Sequence, residues 1–192
     1  LSTGMALMKE IEDAIKILVQ SGTLKNNITV LHCNTEYPTP MRDVNLKAMI
    51  EIREKFNVKV GYSDHTHVET TNLYASKIAL ALGATSIERH FTILDKDETK
   101  DGPVSIKPYQ LKELSEFSKL SRFEMMSVIK KEYPRAEIVN PGQDEYFDSA
   151  IEKNIKQVIE DNEGHKPLDS FVLIGDRAKN TVGQGPVLTA PH

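Results

Sequence analysis

His65 and His90 lie 25 positions apart, each at the polar end of a short apolar run. If those runs are neighbouring parallel strands, the two imidazoles converge on one mouth. Two imidazoles there can ligate a divalent cation and leave positions open for water and substrate oxygens. Asp64 and Glu88 stand beside them as carboxylates able to orient the rings. His67, near the same mouth, reads as a loop residue. Spacing alone explains the pair equally well as structural, hydrogen-bonded histidines. Ser63, Thr35 and the backbone about Gly61 add small donors suited to a phosphate or carboxylate, or to ordinary turn chemistry. Tyr37, held by Pro38 and Pro40, can meet a ligand or simply pack. Asp95, Lys96, Asp97, Glu98, Lys100 and Asp101 form a charged loop that reads as a solvated face.

The elements that position these residues alternate. Polar clusters close four segments: LSTGM at 1–5, ITVLHCNTEYPTP at 28–40, VKVGYSDHTH at 58–67 and SIERHFT at 86–92. The periodicity predicts strands at 28–31, 58–60 and 86–90, after a first strand ending at Ser2-Thr3-Gly4. Helices are expected at 8–18, 46–56 and 73–82, and from Leu111 to Leu120 after Pro108. Met8, Ile11, Ile15 and Leu18 make the apolar face of the first helix. Polar residues gathered at strand exits are the pattern of an α/β chain of the (β/α)8 TIM-barrel type, in which chemistry sits at the C-terminal strand ends. This chain would supply about four β/α units, a half-barrel, over residues 1–120, because a whole barrel needs roughly 250 residues. A half-barrel leaves an open sheet edge at each side, which invites pairing. Residues 121–192 read as a mostly helical, partly irregular extension. It has helices at 123–133 and 149–161, a turn at Asn140-Pro141-Gly142, one short strand at 171–174 and a Gly- and Pro-rich tail.

The 192 residues are 39% hydrophobic and 27% charged with a net charge of −4, and no basic run suits nucleic acid or a bilayer surface. No apolar stretch approaches the roughly 18 residues of a membrane span. The chain opens on a strand end with neither Met nor a secretory leader, so it is expected to be part of a longer protein. Cys33, the single cysteine, excludes an intrachain disulfide and suits a reducing cytoplasm. It reads as a small buried thiol, because adjacent strand residues such as His32 and Cys33 point to opposite faces.

LSTGMA, LHCNTEYPTP followed by NLKAM, GYSDHT, ALGATSIERHFT and the later DGP resemble the sialic acid synthases, a family that includes N-acetylneuraminate, legionaminate and pseudaminate synthases. The resemblance covers about residues 1–115, in order. It implies a barrel that condenses phosphoenolpyruvate with an N-acetylated sugar aldehyde and releases phosphate, using Mn²⁺ or Mg²⁺ held by His65 and His90. It places Ser63 and Thr35 near phosphoenolpyruvate and Tyr37 between that ligand and the sugar. The family's first four strands, with their phosphate lysines and carboxylates near the metal, lack counterparts here. The chain is therefore expected to pair with the missing N-terminal half or to form a homodimer. The loop at 66–72 is longer than the family's. Val104 stands after Gly102-Pro103 where the family commonly has an acid that contacts sugar, and Asp101 is the nearby candidate to replace it. The family's C-terminal antifreeze-like domain is not recognisable in 122–192. A related barrel acting on another carbonyl substrate, and a non-catalytic half-barrel subunit, remain open at this point.

Overall fold

The computed structural model describes residues 1–133, 170–175 and 187–189. Helix α1, Met8–Gln20, buries Ile11 and Ile15, with Met8 and Leu18 packed beside them, which is the apolar face expected from their spacing. The Glu10 side chain closes its first turn by accepting from Leu7 N at 2.7 Å. Strand β1, Thr29–Cys33, follows, and then helix α2, Lys47–Phe56, which stops where Asn57 turns left-handed at φ 49°. Strand β2 is Lys59–Asp64, the short helix α3 is Val68–Thr71, and helix α4 is Tyr74–Ala81. Strand β3, Ser86–Phe91, helix α5, Pro108–Ser118, and helix α6, Arg122–Glu132, complete the first 133 residues. The long loop expected at 66–72 thus holds a helical turn.

β1, β2 and β3 are neighbours in parallel register, with His32 opposite Tyr62, Ser63 opposite Glu88 and Asp64 opposite Arg89. Leu1–Thr3 extends the sheet beyond β1, because Leu31 N donates to Leu1 O at 2.8 Å and Thr3 N to Leu31 O at 3.1 Å. The register divides the strand residues by face. Val30, Val60, Tyr62 and Ile87 belong to the core shared with the helices, and His32, Asp64 and Arg89 follow them by strand alternation. Leu31, Cys33, Gly61, Ser63, Ser86, Glu88 and His90 take the other face. Beyond Leu31 the side chains of this face are small or polar, as suits the C-terminal strand ends of a barrel.

Gly61 is the tightest point of that inner face. A Cβ on it would sit 2.5 Å from Leu31 Cδ2 and 2.5 Å from Ser86 O, one from each neighbouring strand. Gly61→Ala must therefore push backbone, and it is expected to destabilise the chain by about 2–3 kcal/mol. Urea denaturation of both proteins would read that as a lower midpoint at an unchanged slope. An unchanged midpoint would mean the strands part at no cost.

The expected pair of open edges is corrected at one side. Strand β4, Ser170–Gly175, pairs parallel with β3 over six residues, and strand β5, Val187–Thr189, pairs antiparallel with β4. The strand at 171–174 is thus present, and the tail expected to be loop contains a further strand. The helix expected at 149–161 and the turn at 140–142 lie outside the described residues. α6 joins the main core through Met125, Met126 and Ile129. Lys77 of α4, 2% exposed, ties this layer together by pairing with Glu113 of α5 at 2.8 Å and Glu132 of α6 at 2.6 Å. Among the described residues no helix is long and apolar enough to cross a membrane.

Candidate active site at the strand ends

Three rings meet where β2 and β3 end. Tyr37 stacks on His65, with centroids 3.9 Å apart and planes inclined by 26°. Both meet His90 edge-on, at 5.4 Å from Tyr37 and 5.5 Å from His65. The convergence follows from the parallel register, because His65 continues the inward set Gly61, Ser63 and His90 continues Ser86, Glu88.

Hydrogen bonds define the state of the His65 ring. Nδ1 lies 2.7 Å from the Asn34 carbonyl oxygen, which can only accept, so Nδ1 carries the proton. Nε2 then presents a lone pair, and it accepts from the Tyr37 hydroxyl at 2.7 Å. Burial lowers the His65 pKa from 6.5, with the Asn34 contact and the charges of Asp64 and Glu88 acting the other way. The neutral ring is the form that can ligate a cation. Tyr37 is pushed up to about 12, chiefly by burial, so its hydroxyl keeps its proton.

The polar inner face continues below the rings. Ser63 Oγ donates to Glu88 Oε1 at 2.6 Å and lies 3.3 Å from His65 Nε2. Thr35 is exposed, and its methyl carbon lies 2.7 Å from where a Cβ on Gly4 would stand, so Thr35 closes over the end of the first strand. Asp101 reaches the mouth from the loop after β3, with Oδ2 3.6 Å from His90 Nδ1. Two contacts hold that loop. Ile106 returns alongside β3, its N–H donating to His90 O at 2.8 Å. Gly102 packs so closely that a Cβ would fall 2.2 Å from Lys96 O. Val104, in the same loop, is 1% exposed.

The mouth therefore brings together Tyr37, Ser63, His65 and His90, with Asp101 at its rim and Thr35 on the neighbouring strand end. Other residues go elsewhere. Asp64 does not face the imidazoles: strand alternation sends it to the helix side, where it pairs with Arg89. His32 also faces that side, stacking on Tyr62 and bonding the Val44 carbonyl through Nε2 at 2.7 Å, so burial keeps it neutral. His67 precedes α3 as its cap residue. Cys33 is only partly buried, because it lies at the last position of β1, and burial raises its thiol pKa. Asp95 and Glu98 cap a short 3₁₀ turn, while Lys96 pairs with Glu69 at 3.1 Å, so this part of the charged loop is a solvated face.

Sequence reasoning missed the Asn34 carbonyl, a backbone group that no side-chain pattern announces. It also missed Arg89. The signal was available, since Asp64 and Arg89 are opposite charges that each immediately precede one of the two histidines. As nitrogen donors for a divalent cation the mouth offers His65 Nε2, already aimed by Asn34, and the His90 ring. Among the described residues no group of three His, Cys, Asp or Glu side chains gathers to hold an ion alone. A cation here would complete its shell with water and substrate oxygens.

The profile of the NeuB family matches residues 1–130. The chain is 47% identical over 114 residues to the N,N'-diacetyllegionaminic acid synthase of Campylobacter jejuni, covering 59% of this chain and 33% of that protein. It is 32% identical over 154 residues to the N-acetylneuraminate-9-phosphate synthase of Drosophila melanogaster, covering 79% of this chain and 38% of the relative. The chain thus spans about a third of the length of these relatives. Among solved structures, the N-acetylneuraminic acid synthetase of Leptospira borgpetersenii, determined with citrate, superposes with a TM-score of 0.53 at 25% identity, over 85% of this chain and 50% of that one. The spore coat polysaccharide biosynthesis protein spsE of Bacillus subtilis gives 0.56 at 27% identity, over 72% and 36%. With the family profile matching residues 1–130 of its 192, the chain belongs to the NeuB family, the sialic acid synthases.

Proposed function

We propose that this chain carries one side of a synthase centre that joins phosphoenolpyruvate to an N-acetylated amino-sugar aldehyde. The products would be a nine-carbon 2-keto acidic sugar and phosphate. The observation that carries this reading is the meeting of Tyr37, His65 and His90 above the Ser63–Glu88 pair, at the C-terminal ends of parallel strands in a NeuB-family chain.

His65 Nε2 and the His90 ring would hold Mn²⁺ or Mg²⁺, which supplies Lewis-acid polarisation of a carbonyl oxygen and orients water. The chain's own groups do the rest of the positioning. Asn34 O holds the His65 proton on Nδ1, so Nε2 stays available. Tyr37, half-exposed on its loop, stands between the two ligands; its hydroxyl donates to His65 Nε2 in this structure and would turn to a ligand oxygen once that lone pair holds a cation. Thr35, and Ser63 once its proton turns from Glu88, would offer hydroxyls to the phosphoenolpyruvate, and Asp101 at the rim would accept from a sugar hydroxyl. In the overall reaction the C3 of phosphoenolpyruvate forms the new bond to the aldehyde carbon. Water adds at C2, and phosphate leaves with the C–O bond electrons. The approach of Asp101 to His90 supports it as the sugar-facing acid of this loop, in which Val104 has no charge to offer. The remaining groups would come from the missing N-terminal half, or from a homodimer, in the cytoplasm.

The test supplies the complementary N-terminal part of the Campylobacter jejuni relative in trans. Phosphate release from phosphoenolpyruvate is then followed with Mn²⁺ and an N-acetylated amino-sugar aldehyde. Sugar-dependent release that His90→Ala in this chain abolishes is the expected result. A stable complex that releases no phosphate with any amino-sugar, yet does so with another aldehyde, would favour the related barrel reading. No release with any aldehyde would leave the chain a non-catalytic subunit.

A further inference from the structure

A buried polar cluster lies behind the ring site, on the opposite face of the sheet. Arg89 is 1% exposed and Asp64 is fully buried. They occupy paired positions of β2 and β3, one residue before His65 and one before His90. Arg89 bonds the Asp64 carboxylate and also donates to Asp64 O at 2.9 Å, to Thr66 O at 3.2 Å and to Thr66 Oγ1 at 3.3 Å. The Asp64 carboxylate accepts from Thr66 N at 2.9 Å and from Ser76 Oγ of α4 at 2.5 Å.

These bonds close around His65. The carbonyl of the residue before it, and the N–H and carbonyl of the residue after it, are all held by the two charged side chains. The carbonyl of His65 itself accepts from Thr39 N at 2.8 Å. The backbone carrying His65 therefore has little freedom, and what grips it is a side chain rooted next to His90. Burying two charges is costly and often contributes no net stability over an apolar pair. In some proteins such a pair specifies geometry instead. We infer that Arg89 and Asp64 are positioning residues that set the separation and tilt of the His65 and His90 rings. Neither touches the mouth. Their effect passes through the 64–66 backbone. This inference rests on the proposed function only for the use made of the rings.

The test compares the full chain with Arg89→Lys, which keeps the charge and loses the fork that reaches Thr66. The first readout is imidazole NMR. In the parent, His65 is expected to show a slowly exchanging Nδ1 proton and a cross-peak to the Tyr37 and His90 rings. In folded Arg89→Lys that proton should exchange quickly and the His65–His90 cross-peak should weaken. The second readout is Mn²⁺ affinity, expected to fall about 10–100-fold, the range typical for groups that orient metal ligands. If Arg89→Lys does not fold, Ser76→Ala removes one bond to Asp64 and should move the same signals less.

A purely structural role would lower the melting temperature and leave the His65 signals and Mn²⁺ affinity of the folded protein unchanged. That result would overturn the inference. If the parent binds no Mn²⁺ but the His65 signals respond to Arg89→Lys, positioning stands and the metal reading of the site fails.

Discussion

Arg89→Leu is expected to cost about 3–5 kcal/mol of folding stability, the range found when one member of a buried ion pair is removed. The Asp64 carboxylate would be left buried without its counter-ion, among Ser76, the Thr66 N–H and the apolar helix layer. The same change strips the buried carbonyls of Asp64 and Thr66 of a donor. In a chain of this size the loss corresponds to a drop in melting temperature on the order of 10 °C. Adding Asp64→Asn removes the lone charge, keeps an amide oxygen as acceptor for Thr66 N and turns a donating NH2 toward the Ser76 hydroxyl, which can accept. The double variant should therefore be more stable than Arg89→Leu alone, an inversion that ordinary core damage does not produce. Calorimetric melts of the parent, both single variants and the double variant measure it. If Arg89→Leu melts with the parent, the pair is not what joins β2 to β3 at their ends.

Replacing both rings, His65→Ala with His90→Ala, is expected to weaken Mn²⁺ binding by more than about 100-fold, beyond the loss typical for a mere orienting group. Isothermal calorimetry at pH 7.5 would measure this. Binding that survives would place the metal elsewhere and remove the main support for the proposed chemistry. The pH dependence adds an independent check. A protonated imidazole cannot ligate, so protons compete with the metal. Burial lowers the His65 pKa below 6.5, so on its account affinity should hold down to pH 6.5 and fall only at lower pH. Stability follows with the same sign. The unfolded chain takes up the His65 proton more readily than the folded one, so the ring's contribution is full above pH 6.5 and is lost as pH falls through the lowered value. His32, also lowered by burial, adds to that acid weakening.

Much of this site was legible before any coordinates. Polar clusters at strand exits placed Ser63, His65 and His90 on neighbouring strand ends, since a βαβ repeat with right-handed crossovers makes consecutive strands parallel neighbours. Boundaries were less so. β2 was expected to end at Val60 but runs to Asp64, because Gly61, Tyr62, Ser63 and Asp64 carry a ladder that their polarity disguised as loop. Asp64 was misread for a related reason. Its position in the chain is next to His65, whereas its side chain belongs to the other face.

The alternation of strand and helix, the family, and the residue types that reach the mouth are readable from the chain alone. Local periodicity and short motifs encode these, and both depend on residues near in the chain. The rest comes from packing in three dimensions. Asn34 O sets the His65 tautomer across 31 positions, Tyr37 stacks on that ring across 28, Arg89 grips the His65 backbone across 23 to 25, and β4 covers the edge of β3. Each depends on register and on backbone groups brought together by packing. A carbonyl oxygen has no letter in the sequence, and a strand's partner is chosen by the whole sheet.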